Sequence, residues 1–420
     1  MLFWLGVVAF ALTILISVSL HELGHMITGK RFGMKVTKYF VGFGPTIFSF
    51  HRGETEYGLK LIPLGGFCKI VGMTPQDDDV APEDQHRAMW RFPVWKRTVV
   101  MAAGSITHFM LALVGAWVMA WSIGLPNIDL PQNAEQTRSA PAMIYVADCI
   151  RTSLSDTATT ECVPGQGSAQ QSPAKAAGLK TGDLITKVGA VAVTDYGQLT
   201  DTIRASAAAP TTFEYVRDGK TATTTVNLLP AERRPIEDPK GPISQVAVAG
   251  VSWTTDQPAV ITYSAFGAVP ASGEFNWYLV EKSLQAMARI PEKIPALWNS
   301  ITGDERDPDT PISVVGASRI GGEAIEKGVP EVFWQVFISL NVFIGLFNLL
   351  PLLPVDGGHI AIAWFEAIRS WLYKRFHRPD PGRVDYYKLM PLTYAVILIG
   401  GAFTLLTVTA DIVNPISIFK

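Results

Sequence analysis

Four long stretches of the chain contain no Asp, Glu, Lys or Arg, and hydrophobic residues dominate each of them. A helix needs roughly 20 residues to cross the ~30 Å hydrocarbon core of a bilayer. Each stretch has about that length: residues 2–20, 98–125, 332–355 and 389–410. The pattern predicts four membrane-spanning helices in a lipid bilayer, and therefore a multi-span α-helical membrane protein.

Composition supports this prediction and excludes other classes of protein. Charged residues make up 17% of the 420 residues, compared with about 25% in an average soluble domain. So low a charge density excludes a disordered chain. The net charge is −2, and without a cationic excess we expect no nucleic-acid partner. The first stretch is not expected to be a signal peptide, because it lacks a basic leading segment and a small-residue cleavage site.

The positive charges orient the four predicted spans. Residues 21–97 carry 11 Lys and Arg, and residues 356–388 carry six. Short basic loops remain on the cytoplasmic side, whereas long translocated segments are exempt from this rule. We therefore expect a multi-pass plasma-membrane protein with both termini outside the cytoplasm, and we expect residues 126–330 to lie outside as well.

The candidate chemistry lies at the inner end of the first stretch, where the chain reads His21-Glu22-Leu23-Gly24-His25. Helical residues four apart lie on one face, about one turn apart. Two imidazoles at this spacing can bind one Zn²⁺, with the glutamate beside its water. The alternative is a polar end of a membrane helix, but ionisable clusters continuous with an apolar span are costly and usually functional. We predict metal ligands at His21 and His25.

A third ligand is expected from another hydrophobic element, because catalytic zinc usually has three protein ligands. Asp356 is the first acid after the third stretch, and Pro351 and Pro354 prevent a regular helix before it. Irregular backbone at membrane depth is tolerated only where protein or water surrounds it. Two alternatives stay open, a helix-capping role for Asp356 and ligation by His359, but His359 follows a glycine pair and is less favoured.

The combination of these motifs resembles the site-2 protease family of intramembrane zinc metalloproteases, in particular its bacterial sigma-E-activating branch and the single-PDZ actinobacterial type. The first-span H-E-x-x-H and the later N-x-x-P-x-x-x-x-D-G, from Asn348 to Asp356, carry the resemblance. It implies zinc ligation by His21, His25 and Asp356, a catalytic Glu22, and contact of Asn348 with the substrate backbone. The family often shows A-G-P-x-x-N in its second span, whereas residues 103–108 read A-G-S-I-T-H, so His108 is given no catalytic duty.

The resemblance also orders the rest of the chain. Residues 1–125 hold two spans and a cytoplasmic-side β-hairpin, 126–242 an extracytoplasmic PDZ-like α+β domain, 243–330 an outer amphipathic region, and 331–420 the last two spans. Within the PDZ-like domain, we expect a helix over 196–206 and a hairpin of 211–217 with 221–228 around Asp218-Gly219. Such domains take peptides by strand addition; the alternative is that this one only filters substrates by size.

The predicted mechanism is metal-assisted peptide hydrolysis in which Glu22 moves the proton of the attacking water. Strands over 46–50 and 54–61, with a turn at 51–53, form the membrane-associated hairpin. Its edge, with Thr55, Tyr57 and Leu59, would hold the unwound substrate. The family suggests single-span substrates such as anti-sigma factors, first trimmed on their outer side. Fe(II) is an alternative metal. A metal-ion transporter or receptor is an alternative function, but the spans show no repeat of the kind transporters carry.

The three cysteines divide between the two sides of the membrane in this topology. Cys149 and Cys162 fall in the outer segment, where thiols pair readily, and Cys68 falls in the cytoplasmic-side loop. A bridge across a loop of about 14 residues would stabilise by roughly 3 kcal/mol. We predict a Cys149–Cys162 disulfide and a reduced, non-catalytic Cys68, with two buried free thiols as the alternative.

Overall fold

A computed structural model describes residues 1–73, 80–154, 169–235 and 241–417. The chain forms two compact units, one of Met1–Leu125 with Thr262–Lys420 and the other of Pro126–Ile261. The first unit contains long helices and one hairpin, and the second is mostly short strands. The second unit includes residues 243–261, which the sequence analysis had placed outside the PDZ-like domain.

The helices of the first unit carry the apolar stretches. They are α1 (Leu2–Arg31), α2 (Val94–Ser122), α3 (Ala268–Thr302), α4 (Val314–Lys327), α5 (Pro330–Asn348), α6 (Asp356–Arg375) and α7 (Met390–Val413), with short 3₁₀ helices at Pro82–Arg87, Met89–Arg91 and Tyr386–Leu389. Among the described residues, four segments are long and apolar enough to cross a membrane, namely Leu2–Arg31, Val94–Ser122, Pro330–Asn348 and Tyr386–Val413. Helix α5 ends at Asn348, before the apolar stretch ends at residue 355, because two prolines interrupt that stretch, as predicted.

Helix α4 packs against α1 and was not predicted as an element of the helical core. Its glycines allow the close approach, since a Cβ on Gly322 would lie 2.6 Å from Cγ2 of Val7, and one on Gly321 would lie 2.7 Å from the Phe10 ring. Ser313 caps the helix by accepting hydrogen bonds from the amides of Val315 and Gly316. Part of the region assigned to an outer amphipathic segment therefore belongs to the helical unit.

The hairpin is longer than predicted, with β1 over Val36–Arg52 and β2 over Thr55–Ile70. The turn lies at Gly53-Glu54 and not at 51–53, since Gly53 adopts the left-handed conformation with φ +65°. Glycines within the strands bend them instead of ending them. Gly42 and Gly44, at φ +87° and +80°, lie where the register shifts. These bends divide each strand into two segments.

The bends produce a four-segment sheet with the order 66–70, 36–41, 55–59 and 48–52. Segment 55–59 pairs with 36–41 on one side and with 48–52 on the other. Within the described residues, the unpaired edges are therefore 66–70 and 48–52. Segment 55–59, which holds Thr55, Tyr57 and Leu59, does not lie at the edge where the sequence analysis expected it.

The second unit is built around a small sheet and three short helices. Its described strands are Ile144–Val146, Cys149–Arg151, Ala169–Gln171, Leu184–Val188, Val191–Ala192, Pro210–Arg217, Lys220–Asn227, Leu229–Arg233, Ser244–Val248 and Val251–Trp253. Its described helices are Ala134–Ser139, Pro173–Ala176 and Tyr196–Ala205. The short strands Leu125–Pro126 and Val260–Ile261 lie at its limits. Ile185, Leu199 and Phe213 are fully buried in its core. The predicted hairpin is confirmed, with Asp218 and Gly219 at φ 52° and 74°.

The predicted disulfide falls partly outside the described residues. Cys149 begins a strand that pairs with Ala169–Gln171, but Cys162 lies in the segment 155–168 that the structure does not describe. The pairing stays a prediction. Cys68, in β2 of the hairpin, is a free thiol, as predicted.

Candidate active site

The two histidines of the H-E-x-x-H motif lie on the buried face of α1. His21 and His25 are 7% and 5% exposed, and their Nε2 atoms lie 3.1 Å apart. Helix α2 covers them closely because glycines face each other across the helix pair. A Cβ on Gly104 would lie 2.4 Å from Cε1 of His21 and 2.5 Å from Nε2 of His25, and one on Gly24 would lie 2.7 Å from the Ala103 carbonyl oxygen.

The orientation of His25 is set by the backbone of α2. Its Nδ1 lies 2.7 Å from the carbonyl oxygen of Val100. A carbonyl oxygen only accepts, so Nδ1 carries the proton and the lone pair of the neutral ring is on Nε2. A partner of this kind is what metal-binding histidines usually have, because it fixes the tautomer and the plane of the ring.

Asp356 reaches the histidines from the loop between α5 and α6. It is the first residue of α6, and Val355 is the N-cap, so Asp356 does not cap the helix. Gly357 and Gly358 allow the loop to fold back on the helix start. A Cβ on Gly357 would lie 2.2 Å from the Leu350 carbonyl oxygen. A larger side chain would therefore clash at these two positions. The loop that the glycines allow places the Asp356 carboxylate beside α1.

The three side chains form a compact triangle. Oδ2 of Asp356 lies 3.4 Å from Nε2 of His21 and 3.3 Å from Nε2 of His25, and within the described residues these three form a cluster able to hold a metal ion. Ligands 2.0–2.1 Å from a tetrahedral zinc would lie roughly 3.3 Å apart. Oδ2 of Asp356 is buried without a hydrogen-bond donor. A carboxylate and two imidazole nitrogens at these distances suit a cation held by all three, so the residues fit the metal.

Glu22 lies beside this triangle, on the side of the hairpin. Its carboxylate interacts with His21, His25 and Asp356 and accepts a hydrogen bond from the backbone of Cys68. A Cβ on Gly66 would lie 3.4 Å from its Cγ. The edge segment 66–70 thus runs next to Glu22. Burial, and then the charge of Glu22, raises the pKa of the Cys68 thiol to about 12, so this thiol is neutral and suits no nucleophilic role.

The other predicted residues occupy different positions. Asn348, the last residue of α5, is half-buried and has no side-chain hydrogen bond within the described part of the chain. His359 lies outside the triangle and stacks on Tyr386, with ring centroids 6.0 Å apart. Thr55 is fully buried, and its hydroxyl donates to the Val36 carbonyl oxygen. The Tyr57 hydroxyl accepts from Lys30, whereas Leu59 is 43% exposed.

Sequence reasoning missed the residues of α2 and α5 that support the triangle. Gly104 leaves room for both imidazoles. The only sign of this in the sequence was the pair of small residues at 103–104. His108 and Asn341 are buried beside His21 and hydrogen-bond each other at 2.8 Å. They are 233 positions apart in the chain, and no local pattern links them.

Comparison with known proteins agrees with this geometry. The model of peptidase family M50 matches residues 9–378. The chain belongs to peptidase family M50, and its resemblance to site-2 proteases is confirmed. It is 44% identical to zinc metalloprotease Rip1 of Mycolicibacterium smegmatis and 40% identical to Rip1 of Mycobacterium tuberculosis, in both cases over 100% of each chain. It is 24% identical to the regulator of sigma-E protease RseP of Salmonella typhimurium, over 86% of this chain and 90% of that protein.

Proposed function

We propose that this M50 peptidase is an intramembrane zinc endopeptidase that cleaves membrane-spanning substrates. The observation that carries the proposal is the triangle of His21, His25 and Asp356, whose ligand atoms lie 3.1–3.4 Å apart at the end of an apolar helix. Rip1, at 44% identity over the whole chain, is named a zinc metalloprotease. A metal-ion transporter is not favoured, because transport alone would not require a glutamate between the two ligands.

Each residue of the site has a separate role in hydrolysis. His21, His25 and Asp356 would hold the zinc, which supplies a Lewis acid for attack of water on the peptide carbonyl. Glu22 accepts the proton of that water and returns it to the leaving amine. The Cys68 amide and the buried surroundings hold the Glu22 carboxylate in place. Helix α2 excludes bulk water from the imidazoles, since Gly104 brings its backbone against both rings.

The substrate would bind as an extended strand at segment 66–70. Among the described strand pairs, this segment is an outer one of the hairpin sheet, next to 36–41, and it lies against Glu22. Strand addition exposes peptide bonds that a helix hides. Asn348 would hold the other side of the peptide, since its amide has no partner within the described residues. The large hydrophobic residues Ile47, Phe48 and Leu61 are 59–61% exposed on the hairpin, which supports a position of the hairpin in the membrane.

The second unit would act as a PDZ-like domain outside the cytoplasm, with both termini on the same side. A cavity of about 560 Å³ lies between the helix Tyr196–Ala205 and residues 247–252. Its position, between a helix and a strand, supports either peptide binding or a size filter. The substrates would be single-span membrane proteins such as anti-sigma factors, in line with the name of the more distant relative RseP.

The decisive experiment is replacement of Glu22 with alanine in the full chain, reconstituted with a tagged single-span substrate. Zinc content and folding should stay near normal while cleavage is lost, because the metal ligands are intact and the base is gone. Glu83→Gln is the matched control, since Glu83 is an exposed carboxylate outside the site. Turnover by the Glu22→Ala protein would reject Glu22 as the base.

Elemental analysis of protein purified from metal-replete cells tests the cofactor directly. We expect one zinc per chain, and iron in its place would identify Fe(II) as the cofactor. Absence of any bound transition metal in the purified, folded protein would overturn the proposed enzyme.

A further inference from the structure

His108 of α2 joins three helices behind the zinc site. It is 1% exposed, and its Nδ1 lies 2.8 Å from Oδ1 of Asn341 in α5. The Ser17 hydroxyl of α1 donates to the same oxygen.

The hydrogen bonds of Asn341 determine the tautomer of His108. Nδ2 of Asn341 donates to the Phe337 carbonyl oxygen at 2.9 Å, which places Oδ1 toward His108. Because Oδ1 only accepts, His108 donates through Nδ1–H, and the lone pair of the neutral ring is on Nε2. His108 therefore has an acceptor nitrogen that this cluster does not use.

His21, in turn, needs a hydrogen-bond acceptor for its Nδ1–H. When Nε2 of His21 binds a metal, Nδ1 carries a proton, and metal-bound histidines almost always donate this proton to an acceptor. His25 donates to Val100, but Nδ1 of His21 is buried and without a partner among the described residues. It faces α2, because a Cβ on Gly104 would lie 2.6 Å from it. Gly104 is one helical turn from His108 on the same helix face.

The two rings are close enough for a direct bond. The centroids of His21 and His108 lie 5.0 Å apart, with an angle of 43° between the ring planes. Two imidazoles joined by an N–H···N hydrogen bond of about 3 Å would have centroids roughly 5 Å apart. The separation of the two rings is therefore the one that such a hydrogen bond requires.

We propose that His108 is a positioning residue of the zinc site, whose Nε2 accepts the Nδ1–H of His21. The contact fixes the tautomer in which His21 presents Nε2 to the metal, and Asn341 in turn fixes the tautomer of His108. The proposal rests on the proposed function, because it requires zinc on His21. It assigns to this chain a histidine–histidine pair where other zinc proteins use a carboxylate or a carbonyl group.

The test measures the zinc dissociation constant of the detergent-solubilised full chain by competition with a chelator. His108→Phe keeps a ring and loses both nitrogens, and we expect zinc binding to weaken about 10- to 100-fold. His108→Gln keeps one donor and one acceptor, and we expect affinity close to that of the unchanged protein. Ser17→Ala is the matched control, because it removes a hydrogen bond from the same buried cluster without touching His21.

Thermal unfolding of the zinc-free proteins separates positioning from stability. A purely structural cluster would lower the Tm of His108→Phe and Ser17→Ala alike and leave both zinc affinities unchanged, which would overturn the proposal. If the unchanged protein binds no zinc, the proposed function fails first, and that result is distinct from a failure of His108 alone.

A second measurement reads the tautomers in the unchanged protein itself. Nitrogen-15 NMR of the histidine-labelled, zinc-loaded protein reports the tautomer of each ring, and the His108→Gln protein identifies the His108 signals. We expect His108 to be protonated at Nδ1 and His21 to be protonated at Nδ1 as well. A proton on Nε2 of His108 would contradict the proposal.

Discussion

Two of the buried clusters of charged groups in the first unit are built in opposite ways. In one, Asp411 of α7 lies 2.6 Å from the guanidinium of Arg306, and Oδ2 accepts from both the amide and the hydroxyl of Ser313. In the other, Oδ2 of Asp356 faces Nε2 of His21 and Nε2 of His25. The protein itself supplies the cation of the first cluster, whereas the second cluster presents three possible metal ligands.

The comparison distinguishes a buried charge pair that stabilises the fold from a buried cluster that can take part in chemistry. Arg306 also donates to the carbonyl oxygens of Pro311 and Asn414, so its cluster ties the end of α7 to the chain before α4. In that cluster both charges come from the protein. The Asp356 cluster instead presents three ligand atoms that a metal would hold together.

The largest expected effect is that of Asp356→Asn on zinc binding. An amide removes the negative ligand, so we expect zinc affinity to fall by more than the roughly 100-fold loss typical of outer-sphere changes. Cleavage should be lost with it. The measurement is zinc content after dialysis against a weak chelator. Asp411→Asn is the matched control at the other cluster and should retain zinc, and loss of zinc in both proteins would contradict the comparison.

The second prediction concerns the stability of the fold and not the binding of zinc. Asp411→Asn leaves the buried Arg306 without its partner, which typically costs about 3–5 kcal/mol. We expect a corresponding fall in the unfolding midpoint in denaturant, with zinc affinity unchanged. The double change Arg306→Met with Asp411→Leu removes both charges and should recover most of the loss. An Asp411→Asn protein as stable as the original would show that this pair does not hold the helices.

The third prediction concerns the space that α2 leaves for the imidazoles of His21 and His25. Gly104→Ala places a Cβ 2.4 Å from Cε1 of His21, so the imidazoles must move apart and zinc affinity should fall. Gly400→Ala is the control, because nothing lies within 4 Å of a Cβ there and alanine stabilises a helix by roughly 0.5–1 kcal/mol relative to glycine. Equal zinc affinity in the two variants would show that the approach of α2 is not required.

The smallest expected effect concerns the reactivity of the Cys68 thiol, which lies near Glu22. Its pKa is raised to about 12, so the reactive thiolate is scarce in the folded protein below that pH and increases as pH rises toward it. An ordinary thiol has a pKa of about 8.5. At pH 8.5 we therefore expect alkylation of the folded chain to be at least about tenfold slower than that of the unfolded chain. Equal rates would place Cys68 in an ordinary environment.

Several parts of the fold and site could be predicted because they are local in the chain. The four apolar stretches predict spans because hydrocarbon selects against charge over about 20 residues. His21 and His25 share a face because a helix repeats every 3.6 residues. Asp356 could be selected because it is the first charge after a long apolar stretch, in a segment that prolines keep from being helical.

What only the tertiary structure decided depends on contacts between distant residues. The hairpin strands were predicted over 46–50 and 54–61 with residues 55–59 at the edge, but segment 36–41 pairs with both 55–59 and 66–70, which makes 66–70 an outer segment instead. Helix α4 is held by its contact with α1, and His108 is placed by Asn341. Sequence periodicity reports which face of an element is apolar. It does not report which distant element covers that face, because packing and hydrogen bonding across helices make that choice.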